Sequence, residues 1–470
     1  MQKRIILFLC ICTIFLPRLA SADDLESRIR ILEESLKKQQ KTIEGQQKLI
    51  EELKAEVKRT QPSAQPGSAT VNQTAGAEGM QQQVEELKEK VDLVVEAQKK
   101  SIASEFNPSI GLVGETIFSY NNKPSDETGS ARPGGYDVFL RSVELDLAAS
   151  VDPFAKAYAV LNASAEWPSE TATVEVEEAA IQTTSLPWNL ELKAGRFFGE
   201  FGRLSYIHDH ELPFVNRPLV LDQYIGGESR TDGAQINYLL PIPHYVSLTV
   251  GAGDQFGGDS PNPNNVGEYR YPSGLNYWGR LSTYFDLTPD IAFEPGVSGL
   301  WNPSTTDRGG ALLQPDGNTF TERERRLMGI DLVLSYRPLR NNQFQTITWG
   351  TEVLYSDNLY DVTDPSGSAL PATSVSSFGL YSYLAYKFDR EWTAGFLFDW
   401  VQNAQNDKDV TTAYSVWITW AISHWNQLRL QYTYTDYNYE GALSGLQPNS
   451  GIYLQWAWII GSHSHGWQQR

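Results

Sequence analysis

Cysteine is almost absent from this 470-residue chain: the two present, Cys10 and Cys12, both fall within the first 22 residues. A disulfide framework is therefore excluded for everything that follows. Long apolar runs are missing as well, and the mean hydropathy is −0.38. That excludes a bundle of membrane helices, each of which needs about 20 consecutive apolar residues. Lysine is scarce beyond residue 105, where only Lys123, Lys156, Lys193, Lys387 and Lys408 occur. Residues 106–470 carry 22 Lys+Arg against 41 Asp+Glu, whereas residues 1–105 carry 16 of each. Nucleic acid is excluded as a partner, because a phosphate backbone requires dense basic surface. What the chain does have is aromatic residues, at 12%, too many for a disordered polymer.

The first segment reads as an export signal. Lys3 and Arg4 precede the apolar stretch Ile5–Leu16, and Ala20-Ser21-Ala22 is an A-x-A cleavage site. Residues 1–22 are expected to be removed, leaving a mature chain free of cysteine, which suits the Gram-negative envelope.

Residues 23–59 have the pattern of a coiled coil. Leu25, Ile29, Leu32, Leu36, Gln39, Ile43, Gln46, Ile50, Leu53 and Val57 follow an unbroken 4-3 spacing with charged and amide residues between. Such a narrow apolar stripe needs a partner helix. Residues 60–79 are a flexible linker rich in Pro, Gly, Ser, Ala and Thr. A second, shorter register at Val84, Leu87, Val91 and Val94 predicts another helix over residues 80–103. Tryptophan is absent until Trp167, so the remainder of the chain is built on different rules.

From Phe106 the period is two. Leu428, Leu430, Tyr432 and Tyr434 alternate with Arg429, Gln431, Thr433 and Thr435. Met328, Ile330, Leu332 and Leu334 alternate with Gly329, Asp331 and Ser335 in the same way. Sixteen such segments are expected, starting near residues 108, 136, 154, 171, 188, 232, 244, 275, 289, 325, 344, 376, 391, 411, 426 and 450. Short turns such as 151–153, 241–243 and 424–426 alternate with long connections such as 200–231, 254–274 and 302–323. Even strand number with short turns on one side and long loops on the other is the layout of a transmembrane β-barrel. The predicted fold is thus an all-β transmembrane barrel of about 16 antiparallel strands over residues 106–467, preceded by an α-helical coiled-coil stalk. Trp278, Trp301, Trp349, Trp392, Trp417 and Trp458 are expected in interfacial girdles.

With these features the chain resembles the trimeric bacterial porins that carry an N-terminal coiled coil. The stretch Ala194-Gly195-Arg196-Phe197-Phe198-Gly199-Glu200-Phe201-Gly202, followed by a long third external loop, is similar to the strand-to-loop passage of the phosphate-selective porin superfamily. The resemblance implies an outer-membrane homotrimer in contact with lipid, with a water-filled lumen narrowed by an inward loop. That loop would comprise His208, Asp209, His210, Glu211 and Arg217. The family's anion ladders of lysine and arginine have no counterpart here. The chain also ends Trp467-Gln468-Gln469-Arg470 rather than on an aromatic residue.

Alternation places Glu144, Asp146, Glu175, Glu177, Asp331, Glu352 and Asp399 on the lumen side, with Arg280 and Arg429. Acidic linings favour cations; the alternative is that these charges pair across the wall as a structural network. His208 with His210, and His463 with His465, each share one face of an extended segment, as metal ligands do. Neither pair comes with a full ligand set, so no metal and no cofactor is assigned. Catalytic signatures such as G-x-S-x-G and HExxH do not occur, so no enzyme is expected. The reading is a passive channel for small hydrophilic solutes, cation-preferring or weakly selective. Two alternatives stay open: a barrel whose stalk tethers the membrane to peptidoglycan, and a gated receptor for metal uptake.

Overall fold

The computed structural model describes residues 108–124, 134–165, 172–258, 272–303, 312–313, 317–338, 344–440 and 444–461. The signal, both expected helices and the linker between them lie outside the described residues, as do His463 and His465.

Among the described residues, seventeen strands form one antiparallel sheet. The first nine are β1 (Ser109–Asn121), β2 (Gly135–Asp152), β3 (Ala155–Ala165), β4 (Thr173–Thr183), β5 (Leu190–Phe198), β6 (Arg230–Leu239), β7 (Tyr245–Gly253), β8 (Asn276–Thr288) and β9 (Ile291–Asn302). A two-residue strand, β10 (Leu312–Leu313), sits in a long connection. The remainder are β11 (Thr319–Tyr336), β12 (Thr346–Thr363), β13 (Ala369–Lys387), β14 (Trp392–Asn403), β15 (Asn406–Ser423), β16 (Asn426–Asn438) and β17 (Asn449–Gly461). Each long strand pairs with the next, β9 pairing with β11, and β1 pairs with β17 from Gly111↔Gly461 to Asn121↔Gly451. The sheet is a closed barrel with sixteen wall strands, matching the sixteen segments legible from alternation.

Turn residues close the short hairpins. Asp152 Oδ1 accepts from the N–H groups of Phe154 and Ala155 at 2.7 and 2.8 Å, and Asp389 Oδ1 does the same for Glu391 and Trp392. These side chains supply the acceptors that a tight turn leaves missing.

The wall is built inside out. Met328, Ile330, Val416, Leu430, Tyr432, Ile452 and Trp456 face outward and are exposed, while Asp331, Ser415, Arg429, Gln431 and Gln455 on the same strands are buried inside. Apolar outside and polar inside is the pattern lipid imposes on a barrel, whose closure leaves no backbone group unpaired at an edge. Trp392 and Trp420 stack on the outside with ring centroids 5.6 Å apart. Trp278 and Trp417, expected in the girdles, turn inward instead and are buried. They do so by strand parity, Trp278 sharing the inner face with Arg280 and Trp417 with Ser415 and Thr419. Inside, Phe256, from the connection after β7, meets Trp278 at 5.2 Å, and Phe214, in a segment of chain that fills part of the lumen, meets Trp417 at 5.5 Å.

That segment, residues 199–229, makes the interior core. Phe201, Leu212, Phe214, Val220, Leu221 and Ile225 are fully or almost fully buried, packed on wall residues Leu300, Leu327, Leu354, Tyr381, Leu397 and Trp417. A short helix, α1 (Leu219–Tyr224), lies within it and touches β14 and β13.

Candidate functional site

The long connection after β5 turns into the barrel at Gly202. Its φ is +59°, and a Cβ there would overlap Glu352 Oε1. Only glycine combines the left-handed backbone with that close approach. Glu352 in turn accepts from the Tyr381 hydroxyl at 2.8 Å and the Arg203 N–H at 3.2 Å.

Further along, the loop meets carboxylates of β2 and β4. His208 is completely buried. Its Nε2 lies 2.9 Å from Glu178 Oε1, and its Nδ1 lies 3.5 Å from Glu144 Oε2 and 3.7 Å from Glu177 Oε1. His210 Nδ1 lies 3.2 Å from Glu144 Oε1. Burial alone opposes a charge on His208, but Glu144, Glu177 and Glu178 outweigh it and push the imidazole well above the usual histidine range. His210 is shifted the same way, burial again being overcome, here chiefly by Glu144.

Asp209 points the other way and is gripped by two guanidinium groups. Arg141 Nη2 is 2.6 Å from its Oδ2 and Arg217 Nη2 is 2.7 Å from its Oδ1. Burial would raise this carboxyl, yet Arg141 and Arg217 hold it well below the ordinary carboxylate range. Arg141 also donates to Glu115 and to the Val215 carbonyl, and Arg217 to the Leu204 and Ile207 carbonyls. Glu211 closes the same short turn, Asp209–Glu211, and is partly exposed.

The wall residues singled out by alternation face the interior. Glu144, Asp146, Glu177, Arg280, Asp331, Glu352, Asp399 and Arg429 are all buried there. Glu175 is more open and accepts from Arg230 at 2.9 Å. Most of these groups are engaged with one another or with the loop. Arg280 makes a two-pronged contact with Asp331 at 2.6 and 2.9 Å. Asp399 Oδ1 accepts from the Leu219 N–H at 3.2 Å, and Arg429 donates to the Phe214 carbonyl at 3.1 Å and to Gln455 at 2.7 Å.

Several residues of the site escape strict alternation. Between β1 and β2 the register skips Arg141, and between β3 and β4 it skips Glu177. Each skipped residue is a β-bulge, and a bulge re-aims side chains. Arg141, which alternation would send outward with Val143, reaches in to Asp209. Glu177 and its neighbour Glu178 both face inward. Glu115, Glu178 and Glu228 carried no signal beyond being acidic.

Two cavities remain beside the loop. One, of about 200 Å³, is bordered by Glu144, Glu175, Glu177 and Glu228 with Arg141, Asp209 and Arg230. The other, of about 670 Å³, lies between the loop and strands β14–β17, lined by Asp222, Asp399, Thr411, Ser415, Thr433 and Tyr453 among others. Arg141, Asp209 and Glu228 border both. Carboxylates outnumber guanidinium groups around each.

No protein-family model matches this chain. An uncharacterized protein of Aquifex aeolicus (strain VF5) is 28% identical over 314 residues, 62% of this chain and 63% of that protein. The match therefore spans less than two thirds of that relative's length. Among solved structures, similar barrels include the trimer form of the outer-membrane protein OmpT of Vibrio cholerae, with TM-score 0.47, 9% identity, and coverage of 75% of this chain and 99% of that one. The anion-selective porin from Comamonas acidovorans gives TM-score 0.48 and 11% identity over the same shares. The outer membrane channel DcaP of Acinetobacter baumannii gives 0.49 and 10%, covering 75% of this chain and 97% of that one.

Proposed function

We propose that this chain is an outer-membrane diffusion channel for small hydrophilic solutes, with a preference for cations. The observation that carries the reading is the inside-out wall enclosing a polar cavity of about 670 Å³ beside an inward loop. Polar surface inside a barrel that faces lipid outside has no role in lipid anchoring; it solvates what passes. Selectivity, on this reading, does not come from a continuous acidic ring, because Arg280–Asp331 and Arg429–Gln455 are consumed by pairing. It comes from the surplus around the larger cavity: Asp209, Asp222, Glu228 and Asp399 border it against Arg141 and Arg217, which pair with Asp209 and Glu228 and leave the carboxylates in the majority. The heptads of residues 23–59 support a self-associating stalk, and a homotrimer is the assembly proposed.

The test is the reversal potential of the purified protein in a planar bilayer under a potassium chloride gradient. Ohmic, cation-selective conductance supports the proposal. Anion selectivity overturns the electrostatic part, and absence of conductance overturns the channel itself.

A further inference from the structure

We propose that His208, His210 and Glu144, with Glu177 beside them, bind one divalent first-row transition ion of the zinc class and thereby fasten the loop to β2 and β4. The inference is independent of whether the barrel conducts. One ligating atom from each of Glu144, His208 and His210 lies within 4.8 Å of the others, and Glu177, His208 and Glu228 form a second overlapping set.

Three features favour an ion over a chance meeting of charges. First, metal–ligand bonds of about 2.0–2.2 Å in a tetrahedron put ligand atoms about 3.3–3.6 Å apart. His208 Nδ1 stands 3.5 Å from Glu144 Oε2 and 3.7 Å from Glu177 Oε1, close to that edge length and long for direct hydrogen bonds. Second, the other nitrogen of His208 is already committed. Nε2 faces Glu178, a pure acceptor once ionised, and Glu178 is held in turn by the Tyr158 hydroxyl at 2.8 Å. A carboxylate behind the distal imidazole nitrogen is the usual support of a metal-bound histidine, since it orients the ring and raises its basicity. Nδ1 is thereby the nitrogen aimed at Glu144 and Glu177; a divalent ion would displace any proton from it.

Third, anionic oxygens crowd the site. Glu144, Glu177 and Glu178 are all buried around His208, and His210 lies beside Glu144. Buried carboxylates need matching cations, and one dipositive ion held by two neutral imidazoles carries the charge of two imidazoliums while bonding the carboxylate oxygens directly. The cavity of about 200 Å³ that borders Glu144, Glu177 and Glu228 gives an ion a polar approach. Two imidazoles with carboxylate oxygens suit zinc, cobalt or nickel rather than calcium or magnesium, which prefer oxygen alone.

The experiment uses the full-length chain in detergent, stripped with chelator and titrated with zinc chloride in a calorimeter. The expected result is one ion per chain, with binding lost in the His208→Ala/His210→Ala double variant. Glu178→Gln should weaken it by about 10–100-fold, the usual effect of removing an outer-shell partner. Zinc bound equally well by the double variant, binding lost on His463→Ala/His465→Ala instead, or no binding by the wild type each overturns the proposal. Should the double variant fail to fold, the cobalt-loaded wild type decides. X-ray absorption showing imidazole scattering at a four-coordinate ion, retained in His463→Ala/His465→Ala, supports the site, and an all-oxygen six-coordinate shell sinks it.

Discussion

Arg141 reaches from a bulge in β2 to Asp209 on the inward loop, with Nη2 and Oδ2 2.6 Å apart. The contact joins the wall to the segment that divides the lumen, and both residues border the two interior cavities. Asp209→Asn removes the carboxylate the two guanidinium groups share, leaving Arg141 paired with Glu115 and Arg217 with Glu228 and the site one negative charge poorer. The reversal potential should move toward anions in the variant, and an unchanged potential would show that this pair lies off the conducting path.

Phe214 is one of the buried anchors of the loop. It is fully buried and meets Tyr383 and Trp417 edge-on, with centroids 5.7 and 5.5 Å away. Truncation of a buried phenylalanine costs about 3–5 kcal/mol, and here the cost falls on loop docking rather than on the wall. Phe214→Ala should therefore raise single-channel conductance and its noise while circular dichroism of the barrel stays that of the wild type.

The Arg280–Asp331 pair spans β9 on the inner face of the wall, joining β8 to β11, and both side chains are buried. Removing one partner strands the other, at a cost of about 3–5 kcal/mol. Asp331→Ala should lower the urea midpoint of unfolding by a correspondingly large step, and the double change Arg280→Met/Asp331→Leu should recover much of it.

At Gly202 the left-handed backbone and the Glu352 carboxylate leave no room for a methyl group. Gly202→Ala should destabilise the loop entry by about 1–3 kcal/mol. Gly274→Ala, where a Cβ meets nothing within 4 Å, is the matched control and should leave the melting temperature where it was.

How much of this was readable beforehand follows from what alternation can and cannot encode. Leu428 through Thr435 declared the two faces of β16 because a strand facing lipid on one side and polar groups on the other must alternate residue by residue. The same logic placed Glu144, Asp331, Glu352 and Asp399 inside. It missed Arg141 and put no special weight on Glu178, because a bulge resets the parity and leaves no mark in the pattern. Nor could it tell that Asp399 and Arg429 serve the loop: their partners, Leu219 N–H and the Phe214 carbonyl, are backbone groups about 180 and 215 positions away. The histidine pair was visible as a pair, but the glutamates it meets belong to other strands. Trp278 and Trp417, by contrast, were legible from parity, since each shares the face of an inward residue, Arg280 and Ser415; the girdle expectation set tryptophan's interfacial preference above its position in the strand.

The closing seam between β1 and β17 has a consequence for how the chain reaches this state. Gln455 on the last strand hydrogen-bonds Glu115 on the first, 340 residues earlier. No partial chain can make that pairing, so β1 must keep an unpaired edge until β17 has been synthesised and delivered. Such edges template association with other chains, and pairings so distant in sequence form slowly. The interval before closure is the period of greatest aggregation hazard, and a chaperone that masks strand edges until the final hairpin arrives would act at this seam.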